Sequence, residues 1–150
     1  MTTSTSFSNA TPRHALPYLF AGQAQREFYI NESLSRIDML MHPAVEGELA
    51  DPPPGPVEGD CFLVAAAATG DWSGREGQLA GWIGGAWTFA EPWNGLVVRD
   101  NSTAGTILYS DGWLRPEAPE EPVGGTVVDA EAREAIATLI AILRQYGLFV

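Results

Sequence analysis

Four prolines in six residues, Asp51-Pro52-Pro53-Pro54-Gly55-Pro56, constrain this chain more than anything else in it. Proline lacks an N–H and has a fixed φ, so neither a helix nor a paired strand can run through such a stretch. The segment is a stiff extended linker, and the chain on its two sides has different character. Before it, Arg26 to Ile30 reads as a short strand with Phe28 and Ile30 on one face. Asn31 then reads as an N-cap, with Glu32 in the first turn. The helix that follows carries Leu34, Ile37 and Met41 on one stripe and stops at Pro43. A single longer helix starting near Gln23 fits the same stripe, because Ile30 and Leu34 extend it.

After the linker the pattern is all β. Strands are expected at Cys61–Ala66, Gln78–Ile83, Ala86–Ala90, Leu96–Arg99, Thr106–Tyr109 and Trp113–Arg115. Gly84-Gly85 and Asp111-Gly112 are hairpin turns between apolar stretches. There is a faint internal echo. Gly84-Gly85 lies just before Trp87 and Asp111-Gly112 just before Trp113, so a glycine turn precedes a tryptophan twice. The two copies read as two hairpins of one antiparallel meander.

Residues 116–128 form an acidic Pro/Gly spacer. A helix then starts with Asp129 as its cap and ends at Gly147, a left-handed stop. Ala132, Ile136, Leu139, Leu143 and Tyr146 recur at 4-3-4-3 spacing, and Ile140 widens the apolar arc. An isolated helix of this length is marginal in water, so its apolar face needs a cover. The chain ends Leu148-Phe149-Val150, three more apolar residues. The fold class is therefore α+β: a short strand-helix unit, an antiparallel β-rich middle and an amphipathic C-terminal helix. The expected organisation is a flexible docking arm at 1–15, a core domain at 16–115, the spacer at 116–128 and an oligomerisation helix with its tail at 129–150. Ile136, Leu139, Ile140, Leu143, Tyr146 and Phe149 are the residues expected to bring copies together.

The composition closes several functional classes. A net charge of −11, from nineteen acidic residues against eight arginines and no lysine, repels nucleic acid and anionic membranes. No run is apolar enough to span a bilayer, and the Ser/Thr-rich N-terminus has no basic-then-apolar leader. Assembly in the cytoplasm is the expectation. The single cysteine, Cys61, excludes an internal disulfide framework and sits in the apolar run Cys61-Phe62-Leu63-Val64, as a buried, inert thiol would. His14 and His42 are far apart, with no metal-ligand spacing around either. No nucleophile elbow, phosphate loop or dinucleotide fingerprint is present. The expectation is no catalysis, no metal and no cofactor. Trp72, Trp93 and Trp113 are candidates for stacking on sugar rings, against the ordinary reading that tryptophans in a small β domain supply core area.

The densest polar stretch is Gly22 to Asp38, in which Gln23, Gln25, Glu27, Asn31, Glu32 and Asp38 are threaded between apolar anchors. Read from its residues, it is a structural network that satisfies backbone groups where elements meet, suited to a subunit boundary. With Leu16-Pro17-Tyr18-Leu19 ahead of it, Gly59-Asp60, Trp72, Ala80-Gly81-Trp82 and Gly85-Ala86-Trp87 behind it, and the tail Val127 to Arg133, it resembles a family of virion proteins. These occur in alphaproteobacterial prophages and gene transfer agents, and their domain is of unknown function. Arg26 stands where many relatives carry lysine, and the stretch after Trp93 lacks their further tryptophans. The resemblance implies a structural virion component, most like the base of a head spike. Such a base docks on capsid protein at the five-fold vertices and anchors a host-binding fibre protein. It implies a homo-oligomer, a pentamer before a trimer, at the surface of a phage-like particle. The alternative is a carbohydrate-binding module that itself contacts host polysaccharide.

Overall fold

The computed structural model describes residues 10–19, 26–120 and 129–148. Helix α1 (Arg26–Leu40) leads into two two-residue strands, β1 (Ala44–Val45) and β2 (Glu48–Leu49). Six strands follow after the proline segment: β3 (Cys61–Val64), β4 (Leu79–Ile83), β5 (Ala86–Ala90), β6 (Val97–Asp100), β7 (Gly105–Tyr109) and β8 (Trp113–Leu114). A 3-10 turn at Gly70–Trp72 lies between β3 and β4, and helix α2 (Ala130–Gln145) comes last.

The strands do not form one meander. They make two four-stranded sheets, ordered β2-β3-β4-β5 and β1-β6-β7-β8. The two share one plan. A two-residue strand pairs in parallel with the next member, and two antiparallel pairings follow. The faint sequence echo is thus a structural repeat. In the β4–β5 hairpin Gly84 and Gly85 both take positive φ, 62° and 77°, the backbone a two-residue hairpin turn requires. Trp82 pairs with Trp87 beside that turn, their rings 5.0 Å apart. In the β7–β8 hairpin Asp111 is left-handed, and Tyr109 pairs with Trp113 at 5.2 Å. Cross-strand aromatic pairs fix register, since a slip of one residue would move every side chain to the other face.

The main core joins both sheets. Val45, Cys61, Leu63, Leu79, Ile83, Ala90, Leu96, Val98 and Ile107 form one buried cluster, capped by Met39 from α1. Met39 fits because residue 81 is glycine: a Cβ there would collide with its sulfur. A second cluster covers the outer face of the β2–β5 sheet. There Phe62, Val64 and Ala80, with Trp87 and Phe89, pack against Trp72 from the loop after β3. Both faces of β3 are covered, which is why Cys61-Phe62-Leu63-Val64 is a continuous apolar run rather than an alternating one. Burial pushes the Cys61 thiol up to about 12, as expected of an inert cysteine.

Three expectations are corrected. Arg26 to Ile30 is the start of α1, not a strand, so the single-helix alternative holds and Asn31 is an interior helical residue, not a cap. Its side chain has a different partner, described below. The single meander is two sheets, because β1 and β2 recruit one edge each. The N-terminal arm cannot extend to residue 15, because Thr11 to His14 are bound to α1. Residues 1–9 of that arm and residues 121–128 of the spacer lie outside the described residues.

Candidate functional site

Two helices carry the features that the fold alone does not explain. In α1 the buried residues other than Met39 are polar. Asn31, Ser35 and Asp38 recur at 4-3 spacing and are almost wholly out of water. They grip a strap, residues 10–19, that runs along the helix. Asn31 holds the backbone of Leu19 twice, accepting from its N–H at 2.9 Å and donating to its carbonyl at 3.0 Å. Ser35 donates to the Asn31 carbonyl and is hydrogen-bonded to the Tyr18 hydroxyl. Burial raises the Tyr18 phenol above its ordinary value, against the lowering effect of the Ser35 bond.

Asp38 is the strap's main anchor. Its carboxylate accepts from the Thr11 hydroxyl at 2.7 Å, the Arg13 N–H at 3.0 Å and the His14 N–H at 2.7 Å. His14 Nδ1 lies 3.0 Å from the same carboxylate. Burial alone would raise the Asp38 pKa. The bonds from Thr11, Arg13 and His14 outweigh it and hold the carboxyl below its ordinary range. Arg13 then crosses the end of the helix, donating to the Met39 carbonyl at 3.0 Å and the His42 carbonyl at 2.9 Å. A cation there satisfies the last carbonyls and complements the helix dipole. Gly59 completes the seat. It takes φ +95°, and Pro12 packs where its Cβ would be. The cavity between strap, α1 and β4, lined by Pro12, Arg13, Met39 and Gly81 among others, is about 10 Å³, room for one water.

Asn31 and Asp38 anchor the network, Glu27 is half-buried near the start of the helix, and Glu32 points into solvent. Gln23 and Gln25 lie outside the described residues. Thr11, Arg13, His14, Tyr18 and Ser35 were missed, because their role depends on the strap lying against α1. The only trace in the sequence is the 4-3 recurrence of Asn31, Ser35 and Asp38.

Met39 and Leu40 pack against the main core, whereas Phe28, Tyr29, Ile30 and Ile37 of α1 face outward. Ile30 and Ile37 are 44% and 51% exposed, and Met41 lies at the surface. The stripe read from the sequence is an open one, with Leu34 half-buried.

α2 repeats the situation. Asp129 caps it through a 2.9 Å bond from the Ala132 N–H. Gly147, at φ +69°, closes it as a Schellman motif, with Gly147 N–H on the Arg144 carbonyl and Leu148 N–H on the Leu143 carbonyl. The helix meets its own body along one shoulder. Ile140 is buried, and Gly147 abuts the Arg99 side chain of β6 so closely that a Cβ would overlap the guanidinium. Leu139 and Tyr146 are 58% and 75% exposed, with Ile136, Ile142 and Leu148 also open and Leu143 half-buried. Ile140 is thus corrected: its own subunit covers it, so it is not available to a partner. Phe149 lies outside the described residues.

The tryptophans divide three ways. Trp72 is 0% exposed, boxed in by Phe62 and Trp87, so it has no face to offer a sugar. Trp113 turns inward against the main core and donates its indole N–H to the Gly77 carbonyl at 2.8 Å. The burial of Trp72 corrects the stacking expectation for that residue, while Trp113 is half-buried. Trp93 is half exposed, on a turn tied to the β7–β8 hairpin by two Asn94–Asp111 hydrogen bonds. Among the described residues, no group of three His, Cys, Asp or Glu is placed to hold a metal ion. None of the described helices is long and apolar enough to cross a membrane.

A family model described as "Protein of unknown function (DUF2793)" matches residues 30–114, more than half of the chain. The chain belongs to this family. The DUF2793 segment begins inside α1 and ends with the last residue of β8, so it takes in Asn31, Asp38 and both sheets. The strap and α2 lie outside it. No curated protein matches the chain.

Proposed function

We propose that this DUF2793 protein is a structural subunit of a phage-like particle. In this reading it is a symmetric adaptor at the base of a head spike, seated on capsid protein at five-fold vertices and anchoring a host-binding fibre. Copies associate through α2, and a pentamer fits the vertex better than a trimer. The observation that carries the reading is the open seam of Ile136, Leu139 and Tyr146 on a helix whose buried contacts among the described residues include Ile140 and Gly147. Aligned apolar exposure of this kind marks an interaction surface, where scattered exposure would not. The particle and the vertex come from the resemblance in the motifs quoted above. Deleting residues 129–150 is expected to leave a folded monomer and abolish the oligomer in light scattering. An intact oligomer would refute the reading.

Trp93 keeps a second reading open, binding of a host polysaccharide. Glycan-array binding that is lost in Trp93→Ala supports it; absence of binding by the full chain removes it.

A further inference from the structure

The turn between β5 and β6 holds a reactive pair. Trp93, Asn94, Gly95 and Leu96 make a tight turn, closed by the Leu96 N–H on the Trp93 carbonyl at 3.0 Å. Gly95 takes φ +94°, the backbone that the third residue of a type II turn requires. Asn94 is thereby followed by a residue with no side chain, whereas Asn9, Asn31 and Asn101 precede alanine, glutamate and serine. A glycine nitrogen is the least hindered in a backbone and has the widest freedom of φ and ψ. It can reach back to the side-chain carbon of the preceding asparagine and close a succinimide ring. Asn94 and Gly95 are both exposed, so water reaches them.

The fold holds each reacting group in a hydrogen bond. The Asn94 amide donates to the Asp111 carboxylate at 3.0 Å, and its oxygen accepts from the Asp111 N–H at 2.8 Å. The Gly95 N–H, on the attacking nitrogen, donates to the Tyr109 carbonyl at 2.9 Å. Tyr109 and Asp111 belong to the β7–β8 hairpin, so these three bonds form a clasp between hairpin and turn. Ring closure needs the Asn94 amide to swing over the Gly95 nitrogen and Gly95 to give up its proton, so it needs the clasp open.

We infer that Asn94-Gly95 is a deamidation site of this protein and that the clasp to Tyr109 and Asp111 sets its rate. The Gly95 nitrogen bonds to the Asn94 side-chain carbon as the bond from that carbon to the amide nitrogen breaks. The Gly95 proton leaves with the amide group as ammonia. Water then opens the ring at either carbonyl, giving aspartate or isoaspartate at position 94. One water is consumed, one ammonia is released and nothing changes oxidation state. The product cannot remake the clasp. A carboxylate at 94 has no N–H to donate and faces the Asp111 carboxylate, and like charges this close repel. Isoaspartate also adds a carbon to the backbone of the turn. Each event adds a negative charge to a chain already at −11, beside exposed Trp93. The conversion is a one-way loosening of the tie between the two hairpins.

The test is site-resolved mass spectrometry of the full-length chain incubated at neutral pH, native and in urea. In urea Asn94 is expected to deamidate well ahead of Asn101. In the native chain it should be slower by roughly tenfold or more, since the clasp must open first. Equal rates at Asn94 in the two conditions overturn the gating, and an Asn94 that stays intact in urea overturns the site. Asp111→Gly removes the acceptor, while glycine keeps the left-handed backbone at that position. Native deamidation at Asn94 is expected to rise about threefold to tenfold, the effect of one hydrogen bond on the open population, with Asn101 unchanged. No rise, or an equal rise at Asn101, overturns the role of the clasp. Should this variant unfold, the wild-type comparison decides the gating. Asn94→Asp stands in for the aspartate product and is expected to speed amide exchange at Gly95; unchanged exchange overturns the loosening.

Discussion

Removing the Asp38 carboxylate tests the strap most directly. In Asp38→Ala the Thr11 hydroxyl and the backbone N–H groups of Arg13 and His14 lose their acceptor, and His14 loses its ring contact. A hydrogen bond to a charged group contributes about 1.5–3 kcal/mol when buried and less where water can substitute. Thr11 is buried, whereas the Arg13 and His14 bonds are only partly so, and a total of roughly 3 kcal/mol follows. The strap can open without global unfolding, and Arg13–His14 is a tryptic bond inside it. With opening faster than cleavage, about 1.4 kcal/mol is a factor of ten in the open population, so tryptic cleavage at Arg13 should accelerate by roughly a hundredfold. Glu32→Ala, on the solvent side of α1, should change it little. Mass spectrometry of timed digests reads both. A rate in Asp38→Ala within about threefold of wild type would mean that the strap is held elsewhere and the reasoning fails. The pH dependence has a definite sign. The folded Asp38 pKa is lowered, so below the ordinary value of about 3.9 the unfolded chain binds the proton first and acid favours unfolding. The Asp38 contribution is complete above that value and is lost as pH falls through the lowered one. The protection of Arg13 should therefore fade in strong acid in the wild type and show no such step in Asp38→Ala, as hydrogen exchange across the acid range would report.

Other outcomes follow from single contacts. Trp72→Ala should cost about 3–5 kcal/mol by thermal or urea unfolding, because a fully buried indole leaves a cavity, while Trp93→Ala should stay within about 0.5 kcal/mol. Gly81→Ala should cost about 1–3 kcal/mol, since its methyl meets the Met39 sulfur and forces α1 off the sheet; the paired variant Gly81→Ala with Met39→Ala should recover part of that loss if the collision is the cause. Asn31→Leu should loosen Leu19 by about 1–3 kcal/mol, seen as faster amide exchange at that residue, despite a better helix former at the position. Gly147→Ala should unseat the C-terminal end of α2, because it combines a left-handed backbone with overlap on Arg99; faster exchange of the Leu148 amide is the readout.

What could be read in the sequence is what depends on neighbours along the chain. The six strands after the prolines, the Gly84-Gly85 turn, the Asp129 cap and the Gly147 stop are all local, and the structure has them within a residue or two. β1 and β2 could not be read, because two residues carry no periodicity and their parallel partners lie far along the chain. The orientation of α1 could not be read for a related reason. Its apolar stripe is real, but apolar periodicity reports which residues share a face, not which face turns inward. That was decided by a strap with no pattern of its own, whose backbone groups are met by Asn31 and Asp38. Trp72 and Trp93 show the same limit, since composition places both in the β region and only the tertiary fold buries one and exposes the other.

The two helices together suggest why the polar face of α1 is the buried one. A carboxylate and an amide that clamp backbone groups fix the strap in one register, which an apolar face would not. Apolar contact tolerates sliding; the bonds of Asn31 to both polar groups of Leu19 do not. With the clamp made of polar groups, Ile30 and Ile37 of α1 are left on the outside. Single exposed apolar residues are normal on a soluble protein. Ile30, Ile37 and Met41 are not single: they stand in line, as do Ile136, Leu139 and Tyr146 on α2. Aligned exposure of this kind is the feature that the proposed self-association would account for and that scattered exposure would not need.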